Sequence, residues 1–247
     1  MVIVTLPAYN EEQTLPLVLE AVREAMEENR IEYRVLVVDD GSTDGTAQAA
    51  EKLLDHMPLA LVRHPRNLGL GEALRTGLVE ALSEAGERDI IVTMDSDNTH
   101  TPGLIARMVR GVREGNDVVI ASRYRPDARI RGVPLHRRIL SRGSSWLFRL
   151  LFPTRGVRDF TCGFRAYRVG ILKQAFSVYG DAFVAQSGFS CMVDILLKLR
   201  QMEAIISEVP LILRYDLKLG ASKMELARTT LDTLRLAVRR RLGFERE

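Results

Sequence analysis

Asp95 and Asp97 stand one residue apart at the end of Ile90-Ile91-Val92-Thr93-Met94. That run is short and rich in β-branched residues, which fits a buried strand. In open α/β sheets, ligands bind just outside the carboxyl ends of strands. Two carboxylates there repel each other unless something positive lies between them. A divalent cation with a bound diphosphate meets that need through oxygen ligands. The spacing equally suits a helix N-cap followed by a loop carboxylate, because Asp caps helices well.

Two further apolar runs end in a similar way. Val2-Ile3-Val4-Thr5-Leu6 leads into Pro7-Ala8-Tyr9-Asn10-Glu11-Glu12, and Val35-Leu36-Val37-Val38 into Asp39-Asp40-Gly41-Ser42-Thr43-Asp44. A Rossmann dinucleotide site places Gly-x-Gly-x-x-Gly after the first strand. None is present there, which argues against NAD or FAD. An aromatic and a carboxylate at a strand end can hold a base and ribose. The same residues also suit a proline turn with helix-capping acids. Asn67-Leu68-Gly69-Leu70-Gly71 lets backbone approach a ligand closely, or simply turns into a helix. Acids at three strand ends converge on one cleft if those ends share a sheet edge.

The elements that must position these groups alternate. Strands are expected at 2–6, 34–38, 59–63, 90–94 and 117–121, with helices near 12–28, 45–56, 70–85 and 102–114. This β-α-β order implies an α/β fold with a mainly parallel sheet and helices on both faces. Asp44, and Thr101 before Pro102, mark helix starts. Past residue 125 an Arg-, Gly- and Pro-containing stretch leads into an apolar and basic segment at 135–152. A helix near 188–202 and a strand near 205–213 follow. The chain ends in an amphipathic helical pattern with Ala227, Leu231, Leu234 and Val238 on one face. We read a single domain over 1–247, with a nucleotide-binding half at 1–125, an acceptor half at 126–224 and a C-terminal helix at 225–247.

Composition limits the function classes. An apolar content of 46% over 247 residues supplies a full core. Cys162 and Cys191 have no metal-like spacing and fit a reducing compartment as small core residues. The first apolar run is too short and lacks the basic flank of a signal peptide. No stretch of about 18 apolar residues is present to span a bilayer. The expected location is cytoplasmic, peripheral to a membrane at most. Charge is uneven: Arg123 to Arg165 holds eleven arginines, no lysine and two acids, Asp127 and Asp159. Arginine's planar fork suits phosphate. Nucleic acid, anionic lipid or a phosphorylated substrate would satisfy that block. Nucleic acid fits least, because acids at three strand ends would repel it.

Taken together, the motifs resemble glycosyltransferase family 2. They are Pro7-Ala8-Tyr9-Asn10-Glu11, Val38-Asp39-Asp40-Gly41-Ser42-Thr43-Asp44-Gly45-Thr46, Asn67-Leu68-Gly69, Met94-Asp95-Ser96-Asp97 and Ser122-Arg123-Tyr124. Asp159-Phe160-Thr161-Cys162-Gly163-Phe164-Arg165 and Gly220-Ala221-Ser222-Lys223 resemble the dolichyl- or polyprenyl-phosphate mannosyltransferase branch. The resemblance covers residues 1 to about 224. It implies a GT-A fold, a nucleotide-sugar donor, and Mg²⁺ or Mn²⁺. It places the nucleoside on Pro7, Tyr9 and Glu11, with Val38 and Asp40 beside the base. Asp95, Ser96 and Asp97 match the family's Asp-x-Asp, whose second acid reaches the metal most directly. Arg123 and Lys223 match positions that contact donor phosphates or substrate. Three positions depart from the pattern. Thr99, the third candidate metal ligand with Asp95 and Asp97, stands where Gln is frequent and would ligate more weakly through its hydroxyl or leave the place to water; Leu217 stands where Arg is frequent, with Lys218 alongside, and Cys162 where Ser is common.

The implied reaction is inverting transfer of a hexose, mannose by resemblance, to a polyprenyl or dolichyl phosphate. Asp95, Asp97 and Arg123 are the catalytic candidates. Arg137, Arg138 and Arg165, with Arg123, are the candidates for holding the acceptor phosphate. Ile139-Leu140 and Trp146-Leu147-Phe148-Arg149-Leu150-Leu151-Phe152, among basic residues, suit a helix lying in a membrane interface or an ordinary core helix. Alternatives are another donor such as UDP-glucose, a non-lipid acceptor, an inactive partner subunit, or an Arg-rich binder of anionic surfaces.

Overall fold

Val2–Ala8 forms the first strand, β1, and its neighbours follow from the apolar runs of the sequence. The computed structural model describes residues 1–186, 188 and 190–219. After β1 come α1 (Leu15–Glu28), β2 (Tyr33–Asp39), α2 (Thr46–Glu51), β3 (Leu59–Arg63), α3 (Leu70–Glu84), β4 (Ile90–Thr93), α4 (Ile105–Arg113) and β5 (Val118–Ser122). The second half adds β6 (Arg129–Arg131), α5 (Leu135–Leu151), β7 (Arg165–Arg168), α6 (Val169–Tyr179), α7 (Ser190–Gln201), β8 (Ile206–Pro210) and β9 (Ile212–Arg214). The C-terminal helix expected at 225–247 lies outside the described residues, as does Lys223.

A seven-stranded sheet runs β3-β2-β1-β4-β7-β5-β8, and β6 pairs with β9 in a two-stranded sheet. In the larger sheet, β1 pairs in parallel with β2 and β4, so their carboxyl ends emerge on one edge. Helices α1, α2 and α4 pack together, and α3, α6 and α7 form a second connected group. The central strands are near-continuous apolar runs because both faces are covered. Val2, Val4, Leu6, Val35, Val37, Ile91 and Val92 are all buried.

The second half differs from the sequence expectation, with β6 and α6 as further elements not expected. The 205–213 strand is two short strands, interrupted at Leu211 where the backbone changes sheets. β7 was not expected, since Arg-Ala-Tyr-Arg has charged ends and no alternating apolar pattern. It inserts antiparallel between β4 and β5.

Glycine is required at one motif position. Gly41 has φ +66°, and a Cβ there would lie 2.2 Å from the Arg66 carbonyl carbon. The loop after β2 therefore packs backbone to backbone against the 66–69 loop, which a side chain would prevent.

Candidate active site

The loops after β1 and β2 are laced together. The Asn10 amide donates to Ser42 Oγ at 2.9 Å, and the Glu11 amide to Thr46 Oγ1 at 2.8 Å. The Thr43 amide returns a bond to Asn10 Oδ1 at 2.8 Å. Ser96 Oγ donates to the Pro7 carbonyl at 2.8 Å, tying the Asp-x-Asp turn to the end of β1. Ser96 and the Pro7 carbonyl thus hold the edge together, with Tyr9 and Glu11 half-buried beside them.

The side chains expected beside a base are already committed. Val38 is fully buried, against the position of Gly77 on α3. The Asp40 carboxylate accepts from the Leu68 and Gly69 amides at 2.9 and 2.8 Å and lies 2.7 Å from His64 Nδ1. In this arrangement Asp40 braces the 67–69 loop, and the Val38 side chain lies in the core. The acid with an uncommitted oxygen is Asp39. Its Oδ1 accepts from the Ser42 amide at 3.0 Å, while its buried Oδ2 has no hydrogen-bond partner and faces only Arg63 Nε at 3.4 Å. A buried acceptor without a donor is costly, so it marks a place where a ligand N–H would be welcome.

Asp95 and Asp97 open into a cleft of about 240 Å³ whose far wall is α5. Arg123, Arg137, Arg138 and Ser141 line it, and Ile130, Val133, Leu140 and Leu213 give it an apolar side. Shielding from water pushes the Asp95 carboxyl above its ordinary range, and Asp97 adds to the rise against His100 and Lys218. Shielding opposes ionisation of Asp97 too, but Lys218, His100 and the Thr99 hydroxyl together hold it low. Lys218 Nζ pairs with Asp97 Oδ2, and Thr99 Oγ1 donates to Asp97 Oδ1 at 2.7 Å. The Thr99 hydroxyl steadies Asp97 in this arrangement.

The donor set fits a hard cation. Both carboxylates retain access to the cleft, with Asp95 31% and Asp97 18% exposed. Among the described residues no cluster of three or more His, Cys, Asp and Glu side chains could hold a metal. Mg²⁺-like ions are commonly held by one or two carboxylates with substrate phosphates and water filling the rest. The strained charge state of Asp95 gives a prediction. Because its folded value is raised, the native state binds more protons than the unfolded chain above about pH 4. Asp95's own contribution to stability therefore falls as pH rises from the unfolded value through the raised folded one, opposite in sign to that of Asp97. Asp95→Asn removes the fall and raises the Tm of the metal-free protein at pH 7 more than at pH 4; melting curves at both pH values check it.

Arg123 is fixed from outside the cleft. Its Nε and Nη2 donate to Asp159 at 2.8 and 2.6 Å, and Nη2 also reaches Thr161 Oγ1 at 2.5 Å. Nη1 stands outside these bonds. Asp159 is fully buried, and its amide donates to Glu208 Oε1 at 2.7 Å. Burial opposes ionisation of Asp159, but Arg123 holds it below the usual carboxylate range. Arg165 is different. It is fully buried in β7, donating from Nε to the Cys162 carbonyl at 2.8 Å and from Nη2 to the Phe160 carbonyl at 2.9 Å. Arg165 therefore shapes the 159–165 loop from beneath, and its expected place at an acceptor phosphate is not supported. Gly163 in that loop lies against Asp95, where a Cβ would be 3.2 Å from Oδ1. Burial pushes the Cys162 thiol up to about 12, consistent with an inert core residue.

Helix α5 splits the segment expected to meet a membrane. Phe148 and Phe152 turn inward, their rings 6.3 Å apart, and Phe148 stacks 5.6 Å from Phe160. These two are core anchors, because 3.6-residue periodicity sends them to the face opposite Trp146. Leu135, Ile139, Trp146 and Leu150 are each more than 60% exposed, beside Arg142 and Arg149. Among the described residues, no helix is long and apolar enough to cross a membrane. His100 is a buried residue stacked 5.2 Å from Phe164, with Nε2 3.9 Å from Asp95 Oδ2.

A mainly parallel sheet with paired acids at the end of β4 and further acids at adjoining strand ends is the GT-A type of glycosyltransferase fold. The crystal structure of glucosyl-3-phosphoglycerate synthase from Mycobacterium tuberculosis in complex with Mn²⁺, UDP and glucosyl-3-phosphoglycerate matches it with a TM-score of 0.70. The match is 22% identical and covers 98% of this chain and 80% of that one. The same enzyme in complex with Mg²⁺ and UDP gives 0.69 at 23% identity, over 98% and 79% of the two chains. These likenesses carry the fold.

The sequence pattern of Glycosyl transferase family 2 matches residues 3–176, and the chain belongs to that family and is a glycosyltransferase. It is 34% identical to the undecaprenyl-phosphate mannosyltransferase of Micrococcus luteus, over 90% of this chain and 87% of that protein. It is 32% identical to the polyprenol monophosphomannose synthase of Mycolicibacterium smegmatis, over 90% and 80%. It is 28% identical to the dolichol-phosphate mannosyltransferase of Pyrococcus furiosus, over 84% of this chain but 54% of that protein, so it spans about half of that relative's length.

Proposed function

We propose that this enzyme transfers a mannosyl group from GDP-mannose to the phosphate of a polyprenol or dolichol, with inversion at the sugar. The supporting observation is the cleft itself: strand-end acids at one end, Arg137, Arg138 and Ser141 on α5 at the other, and an apolar wall between. Sugar diphosphate, phosphate and hydrocarbon each find matching chemistry there. The names of the sequence relatives point to the same donor group and acceptor class.

In this reading residues 1–125 serve the donor and 126–224 the acceptor. Asp39, Tyr9 and Glu11 hold the nucleoside, and Asp39 takes the base-contacting role first given to Asp40. Asp97, supported by Asp95 and steadied by Thr99, would hold Mg²⁺ or Mn²⁺. The bound cation stabilises negative charge on the leaving nucleoside diphosphate. The Nη1 of Arg123 adds positive charge nearby, and Lys223, outside the described residues, is assigned to the donor phosphates by resemblance alone. Arg137 and Arg138 orient the acceptor phosphate, one of whose oxygens bonds to the anomeric carbon as the bond to the diphosphate oxygen breaks. A phosphate monoester is largely ionised near neutral pH, so no protein base has to take a proton. This agrees with His100 being packed against Phe164. Proton NMR of the product tests the geometry: an α-linked donor with a soluble prenyl phosphate gives a β-linked sugar phosphate. An α-linked product would contradict the single displacement.

The exposed face of α5 supports docking on an anionic membrane that carries the acceptor. Burying one large apolar side chain contributes about 1.5–3 kcal/mol, or roughly tenfold or more in partitioning. Ile139→Ser with Trp146→Ser therefore weakens binding to phosphatidylglycerol vesicles by about 100-fold in a sedimentation assay. Wild-type binding also weakens with added salt, because Arg138, Arg142 and Arg149 contribute through screened attraction. Salt-insensitive binding that survives both substitutions would reject the docking face.

A further inference from the structure

The turn that carries Lys218 touches both ends of the cleft. Lys218 Nζ pairs with Asp97 Oδ2 and lies 5.8 Å from the centroid of the Tyr215 ring. Arg137 Nη1 donates to the Tyr215 hydroxyl at 2.7 Å, with its guanidinium carbon 5.8 Å from the same centroid. Tyr215 therefore joins a cation on the donor acids to an arginine of the acceptor helix. Among the described residues the turn is held by backbone and surface pairs, Arg214 with Asp216 among them, and by no buried side chain of its own. No residue of Tyr215–Leu217 is buried, and Leu217 and Leu219 are exposed. Its start is fixed by the Arg214 amide on the Thr99 carbonyl at 2.8 Å. Gly132 passes so close that a Cβ would sit 2.5 Å from the Asp216 nitrogen.

We propose that Lys218 is a displaceable internal cation, and that the Tyr215–Lys218 turn links occupation of Asp97 to release of Arg137. The proposal rests on Asp97 being the cation ligand, as assigned above. An ammonium and a divalent ion repel each other too strongly to share one carboxylate oxygen at contact distance. Lys218 must therefore leave Asp97 when the ion arrives. Its flexible stem lets it turn toward the donor diphosphate, which offers the negative charge it has lost. With that tether gone, Tyr215 holds Arg137 less firmly, and the guanidinium is freed for a phosphate. The reverse also holds: a phosphate on Arg137 loosens the turn and with it Lys218. Linkage requires the two effects to be equal in size. Occupation of either end of the turn then favours occupation of the other.

The test reads Mn²⁺ binding to the full chain by the loss of the free-ion electron paramagnetic resonance signal, with no nucleotide and no turnover. Asp97→Ala loses the site. Lys218→Met binds Mn²⁺ about 5- to 150-fold more tightly than wild type, the usual range of such coupling. Lys218→Arg, which keeps the competing charge, does not gain affinity. Adding geranyl phosphate raises the wild-type affinity about fivefold or more, and Tyr215→Phe loses that enhancement while keeping the basal value. The Asp97→Ala protein measures Mn²⁺ bound by geranyl phosphate in solution. If Asp97→Ala loses the site but Lys218→Met matches wild type, the displaceable-cation proposal is overturned and the metal assignment stands. If Asp97→Ala binds as wild type does, the metal assignment itself is overturned. Should Lys218→Met fail to fold, Tyr215→Phe decides alone, since an undiminished enhancement overturns the coupling.

Discussion

Asp97→Ala lowers sugar transfer by about 10³-fold or more while leaving the protein folded. The magnitude follows from the several kcal/mol that a bound cation contributes to stabilising a departing diphosphate. The fold survives because Asp97 sits at the mouth of the β4 turn, where its contacts are to Lys218 and Thr99 and not to the core. Removing it costs the ion pair with Lys218, two cleft-facing groups 14% and 18% exposed. The carboxyl is held low in the native state, so the pair contributes above about pH 4 and is lost as pH falls through the folded value. Wild type and variant therefore converge in stability in acid, which melting curves at pH 7 and pH 3 test. An active Asp97→Ala enzyme would remove the cation from the account.

Asp159→Ala carries the largest expected cost to stability, about 3–5 kcal/mol. Asp159 is fully buried and accepts from the Arg123 amide, Nε and Nη2, and from the Cys162 amide at 3.2 Å. Its removal leaves several buried amides, and the inner edge of a guanidinium whose other edge reaches the cleft, without their acceptor. Activity falls as well, because the released Arg123 no longer has a fixed place in the cleft. Replacing both partners, as Arg123→Met with Asp159→Leu, restores much of the stability but not the activity, since an apolar pair leaves no buried charge unpaired. Urea unfolding and transfer assays on the same proteins separate the two effects. If the single Asp159→Ala change costs under about 1 kcal/mol, the pair is not the brace described here.

Much of this was readable in the residues. β1, β2 and β4 were legible because strands covered on both faces are written as unbroken apolar runs, and their acids mark the carboxyl ends. The pairing β2-β1-β4 then brings Glu11, Asp39 and Asp97 to one edge. What could not be read depends on long-range contacts. Arg165 looks like any other member of the arginine block, and only the insertion of β7 between β4 and β5 buries it. Asp39 and Asp40 are neighbours of the same type, and only the 68–69 amides decide which one is spent. Ser141 lies four residues after Arg137 on α5, a helical spacing that could have marked it beside the arginines. The pairing of Lys218 with Asp97, 121 positions apart, has no local signal, although Lys218 was singled out next to the departure at Leu217.

The most direct measurement offers the purified enzyme GDP-mannose, UDP-glucose and other nucleotide sugars, each with polyprenyl phosphate and Mn²⁺. Nucleoside diphosphate release and lipid-linked sugar are read together. GDP-mannose gives both products in equal amounts, and neither forms when polyprenyl phosphate or the cation is left out. Diphosphate release without lipid-linked sugar, or transfer that proceeds only to an acceptor without a phosphate, would contradict the proposed transfer.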